Sequence, residues 1–70
     1  MRVLINGEPR ELAAGATVSE AANLVGIEPQ ARGVAVALDG QVVPRAELGG
    51  TILEEGQRVE IVRAIQGGRS

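Results

Sequence analysis

The chain has 70 residues, room for a single domain with a modest core. It contains no Cys, His, Phe, Tyr or Trp, which excludes disulfides, thiolate metal sites, the commonest general base, base-stacking platforms and aromatic binding anchors. Seven basic and nine acidic residues give a formal charge of −2, which argues against nucleic acid as a partner.

Arg2 to Ile5 is β-branched and apolar and runs into Asn6-Gly7, a strong hairpin signal because both positions tolerate positive φ. The returning strand is expected over Arg10–Ala13, at a sheet edge because of Pro9. Thr17-Val18-Ser19-Glu20 reads as a capping box. Val18, Ala21, Ala22 and Val25 then form one helical face, with Gly26 as the stop and Ile27 placed to pack back. So short a helix must lie on a sheet to persist.

Val34, Val36 and Leu38 alternate with Ala35 and Ala37 in a buried strand. Asp39-Gly40 turns it into Gln41–Val43, and Pro44 opens a single helical turn over Arg45–Leu48. Thr51–Leu53 is a brief extended piece, followed by a turn at Glu54-Glu55-Gly56. The last strand is predicted over Arg58–Ile65, with Val59 and Ile61 inward and Arg58 and Glu60 outward.

Hairpin, helix, hairpin and final strand make an α+β domain, a mixed sheet of four or five strands with one main helix on one face. If the first and last strands adjoin in the centre they run parallel, which is the β-grasp roll. The body is expected over residues 1–65 and a disordered tail over 66–70. No apolar run approaches the roughly 20 residues of a membrane span. Met1-Arg2 leads straight into a strand, so no secretory leader and a cytoplasmic location are expected.

Nucleophilic chemistry lacks its usual Cys and His, and neither Ser19 nor Ser70 has an evident activating partner. The pair Glu54-Glu55 is explained by solvation of a turn, and no phosphate-binding loop is present. The protein is therefore expected not to be an enzyme and to bind no cofactor or metal itself. Gln66-Gly67-Gly68 differs from the rest. Two glycines have no Cβ to obstruct passage through a narrow channel. Ile65 to Gly68 spans roughly 10 Å when extended, enough to carry a terminal carboxyl into another protein's pocket. Alone, a Gly-Gly pair is weak evidence.

Two longer stretches add specificity. Val36-Ala37-Leu38-Asp39-Gly40-Gln41-Val42-Val43-Pro44-Arg45 resembles the part of the ThiS sulfur carriers in which an apolar strand turns and ends in Val-Pro-Arg. Gly56-Gln57-Arg58-Val59-Glu60-Ile61-Val62-Arg63-Ala64-Ile65-Gln66-Gly67-Gly68 resembles their final strand and tail. Asn6-Gly7 and Gly15-Ala16-Thr17-Val18 also fit, so the resemblance to this MoaD/ThiS family covers residues 1–68.

The resemblance implies a ubiquitin-like β-grasp fold and a carrier of sulfur for the thiazole of thiamin. It implies three partners: an E1-like adenylyltransferase that uses ATP, a sulfur donor of the cysteine desulfurase type, and a thiazole synthase. Gly68 matches the reactive glycine, and Gly67 its neighbour. Arg69 and Ser70 depart from the pattern, because they place the Gly68 carboxyl in a peptide bond. Either a peptidase removes them, or the dipeptide is vector-derived, or the protein is a non-functional relative.

On a β-grasp sheet, Val62 and Ala64 would lie beside Ala35 and Ala37 as a flat apolar patch at the root of the tail. Such a patch suits partner docking, with Arg45 and Arg63 adding charge, or it is covered by a loop. Two other readings stay open: a carrier of sulfur for molybdopterin, cysteine or another metabolite, and a ubiquitin-like modifier or interaction module without sulfur chemistry.

Overall fold

The structure, a computed structural model, describes residues 1–64. The expected tail, with Gln66, Gly67 and Gly68, lies outside the described residues, as does Ile65 at the expected end of the body.

β1 (Arg2–Ile5) turns through Asn6 and Gly7 into β2 (Glu8–Glu11). The turn residues have φ of 51° and 85°, the left-handed pair that matches strand twist in a two-residue hairpin. β2 starts earlier than expected and contains Pro9. Met1 and Leu12 exchange main-chain hydrogen bonds, and pairs along an antiparallel ladder alternate. Pro9, opposite Leu4, therefore falls at a position where no N–H is needed by β1. β2 is an edge strand, as the proline requires.

α1 (Val18–Leu24) begins with the expected capping box. The Glu20 amide donates to Thr17 Oγ1 at 3.2 Å, and the Thr17 amide donates to Glu20 Oε1 at 2.9 Å. It ends in a Schellman motif: Gly26, at φ 81°, donates to Asn23, and Ile27 donates to Ala22. Val18, Ala21 and Ala22 are buried, and the two alanines let this short helix approach the sheet closely. Thr17→Ala is expected to cost about 1 kcal/mol. In a domain of this size that lowers the melting temperature by roughly 4–8 °C, readable by circular dichroism.

β3 (Val34–Leu38) and β4 (Gln41–Val43) form the second hairpin, with Asp39 and Gly40 at φ 49° and 86°. A single 3₁₀ turn follows at Arg45–Glu47. Thr51–Leu53 reduces to one bridge between Thr17 and Ile52, which leaves Leu53 buried. β5 (Arg58–Arg63) ends two residues before its expected limit.

The sheet order is β2-β1-β5-β3-β4. β1 and β5 are parallel neighbours and the other pairs are antiparallel. This five-stranded mixed sheet with one helix on one face is the α+β roll expected. Val3, Ile5, Val36, Val59 and Ile61 face Val18, Ala21 and Ala22, with Leu48 and Leu53 completing the core. Among the described residues no helix is long and apolar enough to cross a membrane.

Candidate docking face and tail root

β5 lies in the middle of the sheet, and its two faces differ. Val59 and Ile61 are buried under α1, whereas Arg58, Glu60 and Val62 look out from the helix-free face. The ladder sets Ala35 directly opposite Val62, and Ala37 between Glu60 and Val42. Val62 is 62% exposed and Val42 74%. Ala35 and Ala64 are exposed, and Ala37 is half-buried. The helix-free face thus carries a band of small apolar side chains across β5, β3 and β4. Towards β1 it turns polar at Arg58 and Glu60, with Leu4 in register with Arg58.

Val62, Ala64, Ala35 and Ala37 therefore share one surface. Arg63 does not join them, because alternation puts it on the side of Val59 and Ile61. Arg45 is engaged elsewhere. Its guanidinium donates to the Gln30 carbonyl, and Gln30 Nε2 donates to the Arg45 carbonyl at 3.3 Å. Val42 belongs to the face although the sequence does not show it. Gln41-Val42-Val43 is too short to display a period of two, and only the pairing with β3 settles which valine is outward.

The root of the tail is held from both sides. On the β3 side the Ala64 amide donates to the Gly33 carbonyl at 2.8 Å. Gly33 has φ 85°, the left-handed region that glycine adopts without strain. On the β1 side the Asn6 amide side chain grips Ile61: Oδ1 accepts from the Ile61 N–H at 2.8 Å, and Nδ2 donates to the Ile61 carbonyl at 3.3 Å. At the opposite end of β5, Asp39 Oδ1 accepts from the Arg58 N–H at 2.9 Å. The first residue of each hairpin turn thus holds the central strand through its side chain.

Other polar contacts fasten the loops to the sheet and to one another. Glu55 Oε1 accepts from the Arg2 N–H at 3.0 Å, and the Gly56 amide donates to the Arg2 carbonyl at 2.8 Å, so the acidic turn is fastened to β1. An open depression beside β4 is lined by Leu38, Val43, Pro44, Glu47 and Thr51. The Thr51 hydroxyl there donates to the Glu47 carbonyl at 2.8 Å. Among the described residues no group of three or more acidic side chains is placed to hold a metal ion.

The model of the ThiS family matches residues 3–68. The sulfur carrier protein ThiS of Escherichia coli strain K12 is 32% identical over 68 residues, covering 97% of this chain and all of that protein. A thiazole synthase of Magnetococcus marinus is 35% identical over 69 residues, covering 99% of this chain. The chain spans only 21% of that synthase's length. The crystal structure of a thiamine biosynthesis protein, ThiS, from Geobacter metallireducens superposes with a TM-score of 0.77 at 30% identity, over 97% of this chain and all of the other. A solution structure of a thiamine biosynthesis protein from the same organism gives 0.77 at 26% identity, over all of this chain and 91% of the other.

Proposed function

Because the chain belongs to the ThiS family of sulfur carriers, we propose that it carries sulfur for the thiazole of thiamin on the carboxyl of Gly68. The observation that supports this most directly is the extent of the family match, which runs through the paired glycines and stops at residue 68. The thiazole synthase among its relatives supports thiazole formation as the destination of the sulfur.

A carboxylate is a poor acyl donor, since its charge is delocalised and oxide would have to leave. In the proposed cycle an E1-like partner activates it. A Gly68 oxygen attacks the α-phosphorus of ATP, and pyrophosphate departs. The terminal sulfur of a persulfide on a desulfurase-type donor then attacks the carbonyl carbon and AMP leaves, which gives an acyl disulfide. A thiol of the partner machinery attacks the donor's sulfur, forms a disulfide with it, and releases the thiocarboxylate for a thiazole synthase. ATP belongs to the partner enzyme, and the chain acts as substrate and handle. With no cysteine to carry a persulfide, the terminal carbonyl is where sulfur attaches. Ala35, Ala37, Val42, Val62 and Ala64 form the docking face, and Gln66 and Gly67 lead to the reactive carboxyl.

The test is intact-mass spectrometry of the chain ended at Gly68, after incubation with the host's adenylating enzyme, ATP and a sulfur donor. A gain of about 16 Da, sulfur for oxygen, is expected. An unchanged mass, or linkage to other proteins through an amide, would overturn the reading.

A further inference from the structure

We infer that Asn6 is a positioning residue for the C-terminal transfer, an inference that rests on the carrier reading above. β1 pairs with β5 only at Leu4–Arg58 and Ile5–Val59, because the chain then turns away into β2. The Asn6 main chain makes the last bond of that ladder, donating to the Val59 carbonyl at 2.8 Å. Beyond it, Ile61 would present a bare N–H and C=O on that edge. The Asn6 side chain carries the same donor–acceptor pair as a peptide unit, and it meets both Ile61 groups at 2.8 and 3.3 Å. It serves as one more residue of β1 without lengthening the strand. Its φ of 51° turns the main chain away while the side chain continues the ladder, a combination that asparagine tolerates well.

The consequence falls on reach. With Ile61 held by Asn6 and Ala64 held by Gly33, the last residue seen to be held is Ala64, four residues before Gly68. Releasing Ile61 leaves residues 61–64 tied along the β3 edge alone. Fraying of that stretch doubles the length of chain between the last held residue and Gly68, from about four residues to about eight. If effective concentration falls as the −3/2 power of length, that is a loss of about threefold, before any cost of re-forming the exit geometry.

The experiment compares Asn6→Gly, Asn6→Asp and Asp39→Gly. Glycine keeps the positive φ at either turn and removes only the side-chain bonds. Aspartate at position 6 keeps the acceptor for the Ile61 N–H and loses the donor. Asp39→Gly frees the far end of the same strand and serves as the stability control. Amide hydrogen exchange is measured on the full chain. Turnover with the host's adenylating enzyme and labelled ATP is measured on chains ended at Gly68, a trim that leaves every contact within residues 1–64 intact.

In Asn6→Gly the Ile61 amide is expected to exchange at least about tenfold faster. Its kcat for adenylation is expected to fall about three- to tenfold, with KM within twofold. Asn6→Asp should lie between it and the parent, and carries the test if Asn6→Gly does not fold. Asp39→Gly should keep the parental kcat. Parental kcat in Asn6→Gly with its Ile61 amide deprotected overturns the inference. So does an equal loss in Asp39→Gly, which would trace the effect to stability. Absence of label on the parent chain ended at Gly68 would instead sink the carrier reading, and this inference with it.

Discussion

The chain ended at Gly68 is expected to take up label from ATP in the presence of the host's adenylating enzyme, and the 70-residue chain to take up none above background. The difference follows from the oxygen that must attack phosphorus. A free carboxylate offers an anionic oxygen and becomes a mixed anhydride when pyrophosphate leaves. In the 70-residue chain the Gly68 carbonyl belongs to the peptide bond with Arg69, and its electron density is delocalised onto nitrogen. The terminal carboxylate of that chain belongs to Ser70. Its side chain would have to pass wherever a Cβ-free Gly-Gly pair fits. Labelling of both forms to the same extent would refute the requirement and locate the activated group elsewhere. Labelling of the long form only after a peptidase treatment that removes two residues would establish processing as the missing step.

Val59→Asp and Val62→Asp, three residues apart on one strand, are expected to have opposite consequences. Val59 is fully buried beneath α1. A carboxylate there has no cation among its core neighbours, and the effective penalty of several kcal/mol for an unpaired buried charge rivals the whole stability of a domain this size, about 4–10 kcal/mol. The expected result is loss of the cooperative thermal transition. Val62 is 62% exposed on the helix-free face, so its substitution should change stability by no more than about 1 kcal/mol. Affinity for the adenylating enzyme should fall about tenfold or more, as a charge is set into an apolar contact. Calorimetric titration checks it. A melted Val62→Asp variant would make that side chain part of the core, and unchanged affinity would move the docking surface off this face.

Much of the body was legible because its signals are local. Asn6-Gly7 and Asp39-Gly40 announce two-residue turns, Thr17 and Glu20 announce a helix start, and Gly26 with Ile27 announces its end. Alternation in a six-residue strand was enough to separate Val59 and Ile61 from Val62. What depends on register was not legible. Val42 and Ala37 meet only because β3 and β4 pair as they do. Arg63, expected to add charge to the apolar patch, lies by the alternation of β5 on the side of Val59 and Ile61. Arg45 turns to Gln30 across a loop that no pattern predicts. Asn6 and Asp39 could be read as turn formers, yet their grip on β5 joins residues 55 and 19 positions apart. No window along the chain contains both ends of such a bond.

The parallel pairing of the first and last strands bears on what happens when a partner draws on the chain beyond Ala64. Tension enters β5 along its own axis, with β1 on one flank and β3 on the other. A load along that axis shears the rungs on both flanks together, whereas an outer strand would have rungs on one flank only. Two ladders, rather than one, then stand between a pull on the chain end and the loss of β5 from the sheet.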